Sequence, residues 1–269
     1  MRVSLLQTDI VWGDTEANIR KVDAMVAALD ADLYVLPEMW STGFSVHPEE
    51  VAEEEASSLA QAWMRRTAAE RQCAVCGSLA VHDSRDGSYR NRLYFVTPQE
   101  TACYDKRHLF TFAHEDEHYT RGDRRVIVKY GGMRFLLEVC YDLRFPLWSR
   151  WGRAGEYEAI VYVANWPSAR QQAWDTLLRA RAIENQCYVI GVNRVGQERK
   201  LLYAGGSAVI GPQGTTISTC QNRECVCQVD IDVAEVAAQR DAFPVLKDRD
   251  LADGVSQHHK DDHDCCQEA

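Results

Sequence analysis

The chain has 269 residues, 46% of them hydrophobic and 26% charged, the proportions of a soluble globular protein long enough for one large core. Its 40 acidic and 30 basic residues leave a formal net charge of −10, which argues against an electrostatic nucleic-acid binder. No apolar run reaches bilayer-spanning length, and Met1-Arg2-Val3-Ser4-Leu5-Leu6-Gln7 enters a strand pattern without a signal-peptide apolar region. A cytoplasmic protein with neither nucleic-acid nor membrane partners is therefore expected.

The 10 cysteines read as reduced thiols in an intracellular chain of this length. Cys73-Ala74-Val75-Cys76 has the spacing of a zinc half-site, but it lies in an apolar strand pattern with no second half-site nearby. Cys225-Val226-Cys227 alternates along a strand, so both thiols share one face and read as core.

In chain order, residues 3–8 read as a strand. Residues 15–29 carry Ile19, Val22, Met25, Val26 and Leu29 at helical spacing. A short buried strand at 33–36 and a helix at 59–70 follow. Strands at 73–81 and 92–96 flank a turn at 83–88, a hairpin signal, and 102–104 continues the sheet. In the second half, Gly131-Gly132 separates strands at 126–129 and 133–139. Helix-forming sequence follows Pro146, then a strand at 159–164, a helix at 170–184 and a strand at 187–193. Segments 207–210, 215–219 and 225–229 read as a closing antiparallel set, and 233–239 as a short helix. Gly211-Pro212-Gln213-Gly214 is a strong turn within that set.

Strands alternating with helices, plus local hairpins, predict an α/β fold with mixed sheets covered by helices. No linker-like composition divides the chain, so one domain over 1–246 is expected, then a polar tail over 247–269. Within that tail, His258-His259-Lys260-Asp261-Asp262-His263-Asp264-Cys265-Cys266 has a metal-binding composition. A disordered, solvated tail is the simpler reading.

Four segments carry possible chemistry. The run from Met133 to Val139 delivers Cys140 to a break before Pro146. At such an elbow the sulfur is exposed and the next backbone N–H is free to hold an oxyanion. Taken alone, a cysteine after a strand is more often a small core residue. Glu38, in Leu36-Pro37-Glu38-Met39-Trp40-Ser41-Thr42-Gly43-Phe44, also follows an apolar strand. Active-site carboxylates sit in such loops, although a strand-end carboxylate is usually solvated. Lys106, in Tyr104-Asp105-Lys106-Arg107-His108-Leu109-Phe110, lies just beyond a third strand, where an isolated lysine is normally a surface residue. His114-Glu115-Asp116-Glu117-His118-Tyr119 reads either as a metal site or as a solvated acidic turn.

Together these segments meet one chemical need. Amide hydrolysis through a thioester requires a cysteine nucleophile, a base, and a donor or cation at the oxyanion. Here the chain resembles the nitrilase superfamily, whose members use a Glu–Lys–Cys triad. The matching segments are Pro37-Glu38-Met39, Asp105-Lys106-Arg107-His108-Leu109-Phe110 and Cys140-Tyr141-Asp142-Leu143-Arg144-Phe145-Pro146. Ala164-Asn165-Trp166-Pro167 and Arg179-Ala180-Arg181-Ala182-Ile183-Glu184-Asn185 also fit, and the likeness runs from residue 1 to about 239. Glu38-Met39-Trp40-Ser41-Thr42-Gly43-Phe44 and the segment from Cys140 to Leu147-Trp148 look most like the omega-amidase branch.

The resemblance implies a four-layer αββα sandwich, paired as a homodimer or higher homo-oligomer with an αββααββα core. It implies hydrolysis of the terminal amide of short 2-oxo acid amides, such as 2-oxoglutaramate and 2-oxosuccinamate, with no metal or organic cofactor. Glu38 is then the general base, Cys140 the nucleophile, and Lys106 with the Tyr141 N–H the oxyanion donors. A second glutamate assists the base; the branch pattern favours Glu115, with Glu117 as the alternative. Arg144 is the candidate for pairing with the substrate carboxylate, against an ion pair with Asp142 or another acid. Phe44, Tyr119 and Trp166 are candidate pocket walls, against plain aromatic core packing. Another carbon–nitrogen hydrolase, such as a carbamoylase or an aliphatic amidase, is the nearest rival, and a catalytically silent binding protein is the rival from another class.

Overall fold

The computed structural model describes residues 1–153 and 155–249. The first half of the chain forms β1 (Arg2–Gln7), α1 (Thr15–Ala27), β2 (Leu33–Val35), β3 (Glu53–Glu54), α2 (Leu59–Arg71), β4 (Ala74–Asp83), β5 (Ser88–Val96), β6 (Thr101–Asp105) and α3 (Glu115–His118). The second half forms β7 (Ile127–Tyr130), β8 (Met133–Val139), α4 (Pro146–Ser149), β9 (Ala159–Ala164), α5 (Gln171–Asn185), β10 (Tyr188–Asn193), β11 (Val195–Glu198) and β12 (Leu201–Ala204). It closes with β13 (Ala208–Ile210), β14 (Thr216–Thr219), β15 (Cys225–Asp230) and α6 (Val233–Ala242).

Local chemistry sets the helix ends. Asp14 and Ser58 cap α1 and α2 by accepting from the N–H groups of Ala17 and Gln61, and Asp232 caps α6 through Ala234. Such caps contribute roughly 1 kcal/mol each. Helices α2 and α5 stop where Gln72 and Gln186 turn left-handed, at φ of 52° and 44°.

Two sheets carry the fold. The first has the order β15-β1-β2-β4-β5-β6, with β3 paired to β4; the second has the order β14-β13-β10-β9-β8-β7. The central pairs β1–β2, β2–β4, β8–β9 and β9–β10 are parallel, as is the short β3–β4 pair, and the remaining outer pairs are antiparallel. Side-chain alternation builds the layers. Leu5 and Val35 from the first sheet meet Leu137, Val161 and Ile190 from the second in one inner core. Leu6 and Tyr34 point the other way, onto Val22 of α1 and Trp63 and Met64 of α2. Leu136, Ile160 and Val189 face outward onto Trp174, Leu178 and Ala182 of α5. The result is an αββα sandwich of two mixed sheets flanked by helices, as predicted. Because both sheet faces are buried, the central strands read as continuous apolar runs rather than alternating ones.

One local expectation is corrected, and two details are new. The segments 207–229 do not form one antiparallel set: β13 and β14 pair in the second sheet, whereas β15 pairs with β1 in the first, from Arg2↔Asp230 to Gln7↔Cys225. The helix after Pro146 ends at Ser149. The hairpin β11–β12 has no counterpart in the sequence reading. Cys73 and Cys76 fall in different cores on opposite faces of the first sheet, so they share no ligand site. Among the described residues no helix is long and apolar enough to cross a membrane. The proposed division at 246/247 falls inside a final turn at Val245–Lys247, and the remainder of the predicted tail, from residue 250, lies outside the described residues.

Candidate active site

Parallel strands of an α/β sheet deliver their loops to one end, where ligands bind. Glu38 follows β2, Cys140 follows β8 and Asn165 follows β9. Lys106 follows β6, which runs in the same direction as β4 because two antiparallel pairings separate them. Chain direction alone thus gathers four separate segments.

The loop bearing Glu38 lies against β4. The N–H groups of Leu36 and Trp40 donate to the carbonyls of Cys76 and Ser78, and the Met39 N–H donates to the Ser78 hydroxyl at 2.9 Å. A Cβ on Gly77 would stand 2.8 Å from the Trp40 ring and 2.9 Å from Leu36, so the missing side chain is what lets this loop approach.

Glu38, Lys106 and Glu115 are almost fully buried, none of them more than 1% exposed. Lys106 Nζ donates to Glu38 Oε1 at 2.8 Å and to Glu115 Oε2 at 2.9 Å. Asn91 Nδ2 also donates to Glu38 Oε1, at 2.8 Å, and the Asn165 N–H donates to Glu38 Oε2 at 2.8 Å. The Phe110 N–H donates to Glu115 Oε2 at 2.6 Å. Glu117 lies on the surface beside His114, so of the two glutamates only Glu115 reaches the lysine. His118 is also exposed, near His47 and Glu49.

Burial alone pushes the Lys106 ammonium down, but the charges of Glu115 and Glu38 overcome it and hold it well above the ordinary lysine range. The Glu115 carboxyl is raised by burial, an effect that Lys106 opposes and Glu38 reinforces. The Cys140 thiol is pushed well up, first by burial and then by the Glu38 charge, with Lys106 opposing. A resting thiol, rather than a thiolate, faces the carboxylate.

Cys140 has φ of 46° and opens the tight turn Cys140–Arg144. First-turn N–H groups have no acceptor within their own helix, which leaves the Tyr141 N–H without an intrahelical partner. Asp142 holds the turn: it accepts from the Val139 N–H at 3.0 Å, the Tyr104 hydroxyl at 2.8 Å and the His108 N–H at 2.9 Å. Of the six non-glycine residues with positive φ among the described residues, Met39 adjoins Glu38, His114 adjoins Glu115, and Cys140 is the third. Strain of roughly 1–3 kcal/mol per such residue is concentrated here.

Glu38, Lys106 and Cys140 form one end of a pocket also lined by Phe44, Tyr141, Arg144 and Trp166. Arg144 lies over the Trp166 ring, 4.8 Å from its centroid, and among the described residues no carboxylate is within ion-pair distance of it. Asp142 is occupied by His108 instead. Tyr119 is not among the lining residues: it is buried behind the loop with its hydroxyl donating to the Ser45 carbonyl at 2.8 Å. The sequence reading missed Asn91, Arg170 and Tyr203. Arg170 and Tyr203 line the pocket, and Arg170 lies 5.3 Å from the centroid of Phe110. Asn91 stands between Arg90 and Arg92 in the polar first half of its strand and so carried no signal; Arg170 carried none beyond the start of a helix.

A buried carboxylate–ammonium–carboxylate row beside a thiol, reached through an aromatic pocket with free guanidinium groups, is the equipment of an amide-cleaving cysteine enzyme. The chain belongs to the carbon–nitrogen hydrolase family, whose model matches residues 2–241. Among individual proteins it is similar to the omega-amidase YafV of Escherichia coli (strain K12), at 42% identity over 93% of this chain and 97% of that one. It is also similar to the 2-oxoglutaramate amidase of Bacillus subtilis (strain 168), at 33% identity over 91% and 96%. A carbon–nitrogen hydrolase superfamily structure from Xanthomonas campestris, with an arsenic adduct in its active site, superposes with a TM-score of 0.89 at 39% identity, covering 93% and 97% of the two chains.

Proposed function

We propose that this protein is an omega-amidase that hydrolyses the terminal amide of short 2-oxo dicarboxylic acid monoamides, 2-oxoglutaramate and 2-oxosuccinamate among them. The observation that carries the proposal is the Lys106 ammonium held between Glu38 and Glu115 at the end of a pocket that also presents Cys140 and Arg144. The similarity to an omega-amidase and a 2-oxoglutaramate amidase over nearly the whole chain supports the substrate class.

In this reading Glu38 takes the Cys140 proton as sulfur attacks the amide carbon. Lys106 and the Tyr141 N–H stabilise the resulting oxyanion. The tetrahedral intermediate collapses, the carbon–nitrogen bond breaks, and Glu38 returns the proton to the departing ammonia. A water deprotonated by Glu38 then attacks the thioester carbon, and the dicarboxylate leaves as the thiol is reprotonated. Glu115 maintains Lys106 and Glu38 in place. Arg144 pairs with the carboxylate at the far end of the substrate, and Phe44, Tyr141 and Trp166 enclose the chain between.

The proposal includes a single catalytic domain over 1–246, a cytoplasmic setting and at least a homodimer. Eight free cysteines among the described residues suit a reducing compartment, and the family resemblance supports self-association. Sedimentation of the intact chain at two concentrations checks the oligomer.

Comparative kcat/KM values for 2-oxoglutaramate, an N-carbamoyl amino acid and an uncharged aliphatic amide test the substrate. A preference for the 2-oxo acid amide of about a hundredfold or more, the range of a charge-assisted contact pair, is expected. A preference for either other substrate would assign the same triad to a carbamoylase or an aliphatic amidase.

A further inference from the structure

A second cluster of nucleophilic side chains lies outside the pocket. Cys225 and Cys227 stand two apart on β15, paired with Gln7 and Leu5 of β1. Cross-strand partners share a face, and Leu5 points into the inner core, so both thiols face inward between the sheets. Cys220 follows the end of β14, where its N–H donates to the Ser207 carbonyl at 2.8 Å. Strands β14 and β15 are the edges of their respective sheets. The three thiols therefore meet where the sandwich is open, one from the second sheet and two from the first. All three are free, and their sulfur atoms lie within 4.8 Å of one another.

We propose that Cys220, Cys225 and Cys227 form a thiolate site for a soft divalent metal ion of the zinc class, which ties the edges of the two sheets together.

The geometry suits such an ion. Zinc–sulfur bonds of about 2.3 Å place tetrahedral ligands roughly 3.8 Å apart, a contraction that small side-chain rotations supply. The loop between the ligands is already fixed. Gln7, fully buried, donates through Nε2 to the carbonyls of Gln221 and Arg223 at 2.6 and 2.8 Å, and its Oε1 accepts from the Ser207 N–H at 3.0 Å. The same Nε2 lies 3.9 Å from Cys225 Sγ, so the amide that fixes the loop also packs against the ligand sulfur. Three protein ligands leave the fourth tetrahedral position for water. Cysteine binds a metal as the thiolate, so binding releases protons and strengthens as pH rises.

The test uses the full chain carrying Cys140→Ala, Cys265→Ser and Cys266→Ser, which removes the pocket thiol and the two C-terminal ones. Cadmium(II) serves as the optical probe, through its thiolate-to-metal absorption, and zinc(II) as the thermal one. The expected result is one equivalent of cadmium bound with that absorption, and a melting temperature raised by zinc. Adding Cys225→Ser or Cys227→Ser, both at half-buried positions that accept a hydroxyl, should weaken binding on the order of tenfold or more and abolish the thermal shift. Cys220→Ser should do the same. Absence of the absorption in the starting protein, or absorption unchanged by these substitutions, would overturn the proposal.

Discussion

Lys106 and Glu38 form an ion pair at 2.8 Å with each side chain only 1% exposed. They stand on loops that follow different strands of one sheet, 68 residues apart in the chain. Their attraction is strong in so dry a setting, but so is the cost of leaving either one alone. Lys106→Met leaves Glu38 and Glu115 facing each other without a cation. Urea unfolding at neutral pH should show a loss of about 3–5 kcal/mol. Adding Glu115→Gln to that variant should recover part of the loss, because one of the two stranded charges is removed.

Cys140 is predicted to react as a base-assisted thiol rather than a standing thiolate, since burial and the Glu38 charge raise it. Its rate of alkylation by iodoacetamide, followed by peptide mass analysis, should keep increasing with pH beyond the ordinary thiol range near about 8.5. Lys106→Met removes the one influence that lowers the thiol, so its profile should lie at still higher pH. A wild-type plateau at neutral pH would contradict this account.

Glu138 is fully buried on β8, and among the described residues neither of its carboxylate oxygens has a hydrogen-bond partner. Burial, reinforced by the Asp142 charge, raises its carboxyl well above the ordinary range. A raised acid releases its proton more readily when unfolded. Its contribution to stability is therefore complete below the unfolded value of about 4.3 and declines as pH rises toward the folded one. Glu138→Gln should stabilise the protein increasingly with pH, by up to about 1.4 kcal/mol per pH unit across that window. Chemical denaturation of both proteins between weakly acidic and mildly alkaline pH provides the comparison; parallel curves would refute the assignment.

Arg144 is free of carboxylates among the described residues and lines the pocket. Arg144→Met should lower kcat/KM for 2-oxoglutaramate by roughly 10–100-fold, the loss of a charge-assisted pair worth about 1.5–3 kcal/mol. The value for an uncharged amide of the same length should change little. Equal losses on both substrates would mean that the guanidinium supports the pocket through Trp166 rather than binding the carboxylate.

Much of this arrangement is legible in the chain because each reacting group lies just beyond a strand, an apolar one for Cys140 and Glu38. Cys140, Glu38 and Lys106 are marked by the strands that precede them, and strand direction brings them together. Long-range pairing is not marked locally. Nothing within 225–230 says that β15 joins β1 rather than β14, since the partner lies more than two hundred residues away. The choice between Glu115 and Glu117 is likewise a tertiary matter: two positions on the one-turn helix α3 point apart, and the Phe110 N–H and Lys106 donate to the first. Tyr119 carries the same aromatic signal as Phe44, yet its hydroxyl is taken by the Ser45 carbonyl. Arg170 shows the reverse case, a pocket residue whose sequence context is only that of a helix start.

The most direct test of the central claim is ammonia release from 2-oxoglutaramate by the wild-type chain and by Cys140→Ala, with folding of both verified by circular dichroism. The account predicts rapid release by the wild type and none above background from the variant. Release by the folded variant, or none by a wild-type chain whose Cys140 still alkylates, would contradict it.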